Sequence, residues 1–145
     1  MQTAIKALDL SKEFPRSPNE SLGHYVLLPR IIDKCRAFLA GTNDEYKYNC
    51  PLDRQFFDYA DVCSDGLKAE VEAGKTDEEI LTWVQANAKE RSDDEIMTWS
   101  YNQRWRRPAE DAIGHFEGMR LEIAPDNYNI ETWFQLLDAD ENRFN

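Results

Sequence analysis

Two segments of the chain repeat each other, Thr76-Asp-Glu-Glu-Ile-Leu-Thr-Trp83 and Ser92-Asp-Asp-Glu-Ile-Met-Thr-Trp99. Each begins with a hydroxyl side chain and has a glutamate three residues later, Glu79 in the first and Glu95 in the second. This pattern is a capping box, in which the two side chains bind free backbone N–H groups at the start of a helix. The pair therefore predicts two successive helices that present equivalent Ile and Trp side chains to one core. Two copies do not make a solenoid, which needs at least three.

A third helix is predicted upstream, between Pro29 and Gly41. Proline is tolerated in the first turn of a helix, and glycine favours the left-handed conformation that ends one. The apolar residues between these signals are three and four apart: Leu28, Ile31, Ile32, Cys35, Phe38 and Leu39. We expect these side chains to face the core, and Arg30, Asp33 and Lys34 to lie on the other side of the helix.

Four more helices are predicted from similar signals. They cover residues 51–61, 65–73, 108–121 and 130–139, the last capped by Asn129. No β-branched run alternates long enough to demand a strand, and residues 120–124 are the one segment where a strand is an alternative. The sequence therefore predicts an all-α fold, a single compact domain of about six or seven short helices. We expect an extended N-terminal arm over residues 1–22 and one helical domain over residues 23–145.

Composition and charge limit the classes of partner. The 145 residues include 17 Lys and Arg against 28 Asp and Glu, a net charge of −11. Nucleic acids and anionic membranes attract proteins with a cationic surplus, so we expect neither as a partner. No apolar run approaches the roughly 20 residues that cross a bilayer. The one basic run, Arg104-Trp-Arg-Arg107, lies between acidic segments and is better explained by local ion pairs.

Cysteine and histidine usage argues against a metal site and for a reducing compartment. Cys35, Cys50 and Cys63 are an odd number, and Lys6 and Asp9 interrupt the N-terminal segment where a signal peptide is apolar. We therefore expect free thiols and a cytoplasmic location. The cysteines lie too far apart for a zinc pair, and Asp111 with His115 would supply only half of a metal site. No metal and no other cofactor is predicted.

Basic and polar side chains around the third predicted helix and the loop after it form a candidate binding site. Arg30, Lys34 and Arg36 project from that helix toward the predicted start of the helix at Pro51. Arginine binds planar anions, and a helix start adds N–H donors, so these residues could hold a small carboxylate or phosphate. The candidate site comprises Arg30, Asp33, Lys34, Arg36, Tyr46, Tyr48, Asn49 and Asp53. Ordinary ion pairs between these side chains are the alternative.

Cys50 is the candidate catalytic residue. It directly precedes Pro51 at the predicted helix start, where free N–H groups favour a thiolate. An enzyme could use Cys50 as nucleophile or general acid, with His24 or Asp53 assisting. A packed or capping thiol is the alternative. A third hypothesis is a helical adaptor that binds another protein through exposed tryptophans such as Trp99 or Trp105, which requires an apolar surface patch.

Several strings of the chain resemble one known family. They are Leu28-Pro-Arg-Ile-Ile-Asp-Lys-Cys-Arg-Ala37, Glu45-Tyr-Lys-Tyr-Asn-Cys-Pro-Leu-Asp53 and Thr132-Trp-Phe-Gln-Leu-Leu-Asp138. With Pro15-Arg-Ser-Pro18 they resemble a bacterial domain-of-unknown-function family, number fifty sixty-nine, over nearly the whole chain. The resemblance implies no established reaction. It draws attention to the region that contains Arg30, Asp33, Lys34, Arg36, Tyr46, Tyr48, Asn49, Cys50 and Asp53. We expect a small anionic ligand or a protein partner to bind there.

Overall fold

The structure is a computed structural model that describes residues 5–143. Within this range the α-helices are α1 (Leu28–Ala40), α2 (Pro51–Ala60), α3 (Ser64–Glu72), α4 (Asp77–Asn87), α5 (Asp93–Arg104), α6 (Ile113–Ile123) and α7 (Trp133–Asp140). The antiparallel strands β1 (Ser21–Leu22) and β2 (Tyr25–Val26) form a short hairpin before α1, and a 3-10 turn over Glu110–Ala112 precedes α6. The prediction of a single, mostly helical domain is confirmed.

The two matching segments form α4 and α5, as predicted. The Thr76 hydroxyl accepts a hydrogen bond from the Glu79 N–H at 3.1 Å, and the Glu79 carboxylate accepts one from the Thr76 N–H at 3.0 Å. Ser92 and Glu95 make the same pair of bonds at 3.1 and 3.0 Å. Ile80 and Ile96 are buried at equivalent positions, and the two tryptophans pack half-buried against the same core.

α1 runs through the centre of the domain. Gly41 ends it in the left-handed conformation with φ 74°, and α3 packs alongside. The prediction that Phe38 and Leu39 face the core is wrong, because the last turn of α1 extends past the packed body and leaves them 46% and 37% exposed. The main core consists of apolar residues from β2 and α1 to α5, with Phe134 of α7.

Two helix starts and one strand alternative differ from the sequence prediction. The strand alternative at residues 120–124 is wrong because residues 120–123 belong to α6. α6 begins at Ile113 rather than near Pro108. The helical spacing in residues 108–121 predicts that Ile113 faces the core, but this side chain is 48% exposed. α7 begins later than predicted because Thr132, not Asn129, caps it, in a capping box with Gln135.

The β1–β2 hairpin was not predicted from the sequence. Its turn residues Gly23 and His24 both have positive φ, 56° and 71°, as a tight two-residue hairpin requires. Strands of two residues are too short to produce an alternating pattern that can be recognised in the sequence. Among residues 5–143, none of the helices combines the length and apolar character that a bilayer span requires.

Candidate functional site

Charged side chains are buried on what was predicted to be the polar side of α1. Arg30, Asp33 and Lys34 are 3%, 6% and 4% exposed, and Asp53 in the first turn of α2 is fully buried. This side of α1 is not solvated because residues 10–16, called the arm from here on, the 44–50 loop and the end of α7 cover it. A buried charge is unfavourable unless it is paired, and each of these four has a partner of opposite charge.

Arg30 pairs with Glu141, which directly follows α7. Its two terminal nitrogens donate to the two Glu141 carboxylate oxygens at 2.8 and 2.7 Å. The Tyr46 hydroxyl donates to the same carboxylate at 2.8 Å, and Arg143 also contacts it. Burial acts to raise the pKa of Glu141, but Arg30, Tyr46 and Arg143 outweigh burial, so that pKa is lowered. Glu141 is therefore an ionised carboxylate with its oxygens fully engaged.

Lys34 pairs with Asp53 and lies beside Cys50. Its ammonium nitrogen is 2.9 Å from an Asp53 oxygen and 3.3 Å from the Cys50 sulfur. The other Asp53 oxygen accepts the Asn49 N–H at 2.9 Å. Asn49 reaches this geometry with a positive φ of 60°, which asparagine tolerates well. Cys50 occupies the N-cap position of α2, but its side chain makes no capping hydrogen bond.

Asp33 belongs to a separate ion-pair network. The Arg16 side chain donates to both Asp33 oxygens at 3.0 Å and to Asp77 of α4 at 2.8 Å. Arg36 lies 3.0 Å from the same Asp77 carboxylate. Burial acts to raise the pKa of Asp77, but the two arginines lower it further than burial raises it. This network links the arm, α1 and the start of α4.

A cavity of about 610 Å³ opens beside the Arg30 and Lys34 pairs. We call it the arm–loop cavity, since the arm, α1, the 44–50 loop and the C-terminal end of the domain enclose it. Its lining residues are Leu10, Ser11, Phe14, Arg30, Lys34, Asp44, Glu45, Tyr46, Lys47, Cys50, Leu52, Leu137, Asp140 and Glu141. Arg30, Lys34 and Glu141 form its buried inner wall, whereas Asp44, Glu45, Lys47 and Asp140 are exposed at its rim.

The family of this chain is decided by a match over residues 12–143 to the domain of unknown function DUF5069. The chain belongs to the DUF5069 family. A comparison with curated proteins finds no match. The family description carries no reaction or ligand, so the chemistry of this DUF5069 domain has to be inferred from the geometry of its own residues.

The DUF5069 structure brings only some of the sequence-predicted residues together. Arg30, Lys34, Tyr46 and Cys50 line the arm–loop cavity. Asp53 and Asn49 lie behind Lys34. The three others point elsewhere: Asp33 and Arg36 to the Arg16 and Asp77 network, and Tyr48 to the Ser64 carbonyl, to which its hydroxyl donates at 2.6 Å.

Sequence reasoning missed the acidic partner and the apolar wall of the cavity. Glu141 is 111 residues from Arg30, and nothing in its local sequence separates it from the other carboxylates near the C-terminus. Leu10 and Phe14 come from an arm without helical periodicity, so no pattern assigned them to a site. A buried arginine needs an acidic partner to neutralise its charge, but the sequence alone does not show that Arg30 is buried.

His24 and Asp53, which the sequence suggested as catalytic partners of Cys50, lie at different distances from the cavity. His24 sits in the hairpin turn 3.9 Å from Asp93 of α5, and it does not line the arm–loop cavity. Asp53 is close, but its two oxygens are engaged by Lys34 and Asn49. The Cys50 sulfur accepts a hydrogen bond from the Lys34 ammonium at 3.3 Å. Cys35 is a different kind of thiol, because burial raises its pKa to about 12.

The described residues contain no evident metal centre. Among residues 5–143, no group of three or more His, Cys, Asp or Glu side chains is arranged to hold a metal ion. Asp111 and His115 are both exposed, at the 3-10 turn and on α6.

Proposed function

We propose that this domain binds a small molecule with a single anionic group, such as a monocarboxylate, in the arm–loop cavity. A volume of about 610 Å³ lies within the range of small-molecule sites, which is roughly 300–1,000 Å³. A concave pocket of this kind suits a small molecule better than a protein surface, which is the other partner class left open by the sequence. Free thiols at Cys35, Cys50 and Cys63 suit a reducing, cytoplasmic setting for this binding.

The Lys34 ammonium is the observation that carries the proposal. A lysine ammonium has three N–H donors. On Lys34, two of them bind Asp53 and Cys50. Among residues 5–143 the third N–H has no hydrogen-bond partner, so it can bind a ligand oxygen at the inner wall of the cavity. Because the Lys34 side chain is only 5% exposed, a hydrogen bond to it is weakly screened by water. A charge-assisted bond of this type contributes about 1.5–3 kcal/mol.

In this proposal Arg30 does not bind the ligand directly. Its charge is neutralised by Glu141, which occupies the position that a ligand carboxylate would take. Arg30 and Glu141 together therefore shape the wall of the cavity, and Lys34 receives the anion.

The rest of the lining restricts the ligand. Leu10, Phe14, Leu52 and Leu137 provide apolar surface for a hydrocarbon body. Three exposed acids at the rim, Asp44, Glu45 and Asp140, would repel a ligand with several negative charges. The geometry thus favours a compact monoanion with an apolar portion over a nucleotide or an inorganic phosphate.

Calorimetric titration and thermal shift with acetate, hexanoate and phosphate test the proposal. We expect hexanoate to bind most tightly and to raise the melting temperature in proportion to its occupancy. The double variant Lys34→Met with Asp53→Asn should lose this binding, since it removes the cation without leaving a buried unpaired carboxylate. Lys47→Met, which removes an exposed cation from the rim, is the matched control and should bind as the wild type does. Absence of saturable hexanoate binding, or equal binding by the double variant, would contradict the proposal.

A second candidate function is thiol chemistry at Cys50. The supporting observation is that its sulfur lines the cavity 3.3 Å from a buried ammonium, and a cation beside a thiol is typical of reactive cysteines. Alkylation rates at neutral pH provide the test, with exposed Cys63 as the internal reference. We expect Cys50 to react faster than Cys63, and the Lys34→Met and Asp53→Asn double variant to remove the difference. A rate at Cys50 no greater than that at Cys63 would eliminate this candidate.

A further inference from the structure

The outer face of α5, together with Trp105 directly after it, carries a stripe of exposed apolar side chains. Met97, Tyr101 and Trp105 are 43%, 61% and 57% exposed. They are four residues apart, so they follow one side of the helix, and the Tyr101 and Trp105 rings are in contact with centroids 6.4 Å apart. The opposite side of α5 packs on the domain through Ile96, and its Ser100 hydroxyl accepts the Val26 N–H. Trp105 is thus the exposed tryptophan that the adaptor hypothesis required, whereas Trp99 stacks on Tyr59.

Two opposite charges stand at the ends of this stripe. Asp94 lies in the first turn of α5 and Arg104 is its last residue. Seen down the helix axis, at 3.6 residues per turn, Asp94 and Arg104 fall within the same arc of about 100° as the apolar side chains. Along the axis the two charged residues are about 15 Å apart. None of the ion pairs within residues 5–143 includes either of them. The Arg104 side chain donates to the Asn19 carbonyl at 3.3 Å.

We infer that two copies of this chain associate through the stripe, with α5 packed antiparallel against α5 about a two-fold axis. With the axis at the level of residue 99, Asp94 of each copy faces Arg104 of the other, and Met97 faces Tyr101. Each charge is thereby paired once, and the Asp94–Arg104 pair occurs twice in one symmetric contact, as an isologous dimer requires. Burial of Met97, Tyr101 and Trp105 drives the association, and the charges set its orientation.

The charge order along the stripe identifies a second copy as the occupant. A helix with an acid at its start and a base at its end is complementary to itself only when the two run antiparallel, since a parallel pair would oppose like charges. The net charge of −11 on each chain makes the two copies repel at long range. Salt screens that repulsion beyond about 8 Å at 0.15 M, whereas contacts within the stripe persist. One helix face is a small interface, so the dimer is weak and depends on concentration.

Sedimentation velocity over a concentration series at physiological salt tests the inference. We expect the mass to rise from monomer to dimer and to stop there. Tyr101→Ser with Trp105→Ser should weaken association at least tenfold. The matched control is Leu121→Ser, which removes a 55% exposed apolar side chain from α6, and it should leave the dimer unchanged. A chain that stays monomeric up to about 1 mM, or that grows beyond a dimer, would overturn the inference.

Charge reversal tests the antiparallel arrangement itself. Asp94→Arg and Arg104→Asp should each weaken the dimer, because each places like charges opposite one another twice. The double reversal should restore it, because the two exchanged charges are again complementary across the two-fold axis. Circular dichroism of each variant checks that α5 still forms. A double variant that associates no better than the single ones, or an equal loss in Leu121→Ser, would also overturn the inference.

Discussion

Arg30 of α1 and Glu141 after α7 form a bidentate ion pair across 111 residues of chain, with side chains 4% and 2% exposed. Tyr46 and Arg143 contact the same carboxylate, so the 44–50 loop and the C-terminal end meet at one point on the first helix. Because Arg30, Tyr46 and Glu141 all line the arm–loop cavity, its inner wall forms only when the end of α7 is docked.

Removing the acid of this pair should strongly destabilise the domain. Glu141→Gln leaves the Arg30 guanidinium buried without a counter-charge, which costs about 3–5 kcal/mol of unfolding free energy. Urea unfolding followed by circular dichroism measures this. Glu131→Gln is the matched control, since Glu131 pairs with Arg107 at an exposed site, and exposed pairs contribute at most about 1 kcal/mol.

Removing both partners should be much less damaging than removing one. In Arg30→Met with Glu141→Leu, apolar side chains replace the pair, and no buried charge is left unpaired. We expect this double variant to recover most of the stability lost in Glu141→Gln. If it is no more stable than Glu141→Gln, the loss comes from packing around Glu141 rather than from an unpaired charge.

The lowered pKa of Glu141 predicts a loss of stability in acid. A carboxyl group whose pKa is lower in the folded than in the unfolded chain stabilises the fold above the unfolded value, which is 4.5 for glutamate. That stabilisation is lost as the pH falls below 4.5 toward the folded value. We therefore expect the unfolding free energy to decline below pH 4.5. The decline should be shallower in Glu141→Gln, which has no group to titrate there. Parallel pH profiles for the two proteins would show that Glu141 does not contribute.

The sequence predicted the helices well because their signals are local. The capping boxes at Thr76 and Ser92 and the left-handed stop at Gly41 each depend on a few neighbouring residues. The hairpin turn at Gly23 and His24 was missed because strands of two residues leave no periodic pattern. The exposure of Phe38 could not be predicted, because the distance that α1 extends beyond its neighbours depends on the tertiary packing.

The candidate site was predicted only in outline. The Cys50 to Asp53 segment lies close to its helix partner Lys34, as the sequence suggested. The partner of Arg30 could not be predicted, because the packing of α7 brings Glu141 to it and no local sequence pattern marks the pair. Ion pairing, the alternative explanation of the cationic cluster, accounts for Arg30, Asp33 and Arg36, and it also holds Lys34 against Asp53.

The two capping boxes should contribute similar and additive amounts to stability. Thr76→Ala and Ser92→Ala each remove the acceptor of a helix-start N–H, which costs about 1 kcal/mol. The two caps begin different helices, so the double variant should lose the sum of the two effects. Thr98→Ala within α5 removes an exposed hydroxyl without a capping role and should be neutral or slightly stabilising. Thermal unfolding of the four variants measures this, and a cap variant as stable as Thr98→Ala would show that its box contributes nothing.

Two helical glycines should respond in opposite directions to replacement by alanine. A Cβ at Gly66 of α3 would lie 2.7 Å from the Trp83 ring, whereas one at Gly118 of α6 would have no neighbour within 4 Å. Gly66→Ala should therefore destabilise the domain by about 1–3 kcal/mol through overpacking. Gly118→Ala should stabilise it by about 0.5–1 kcal/mol, because glycine is the weaker helix former. Melting temperatures of both variants test this, and Trp83→Leu should reduce the effect of Gly66→Ala if the clash with the ring is its cause. An equal effect of Gly66→Ala in both backgrounds would show that the close approach to Trp83 is not what requires glycine there.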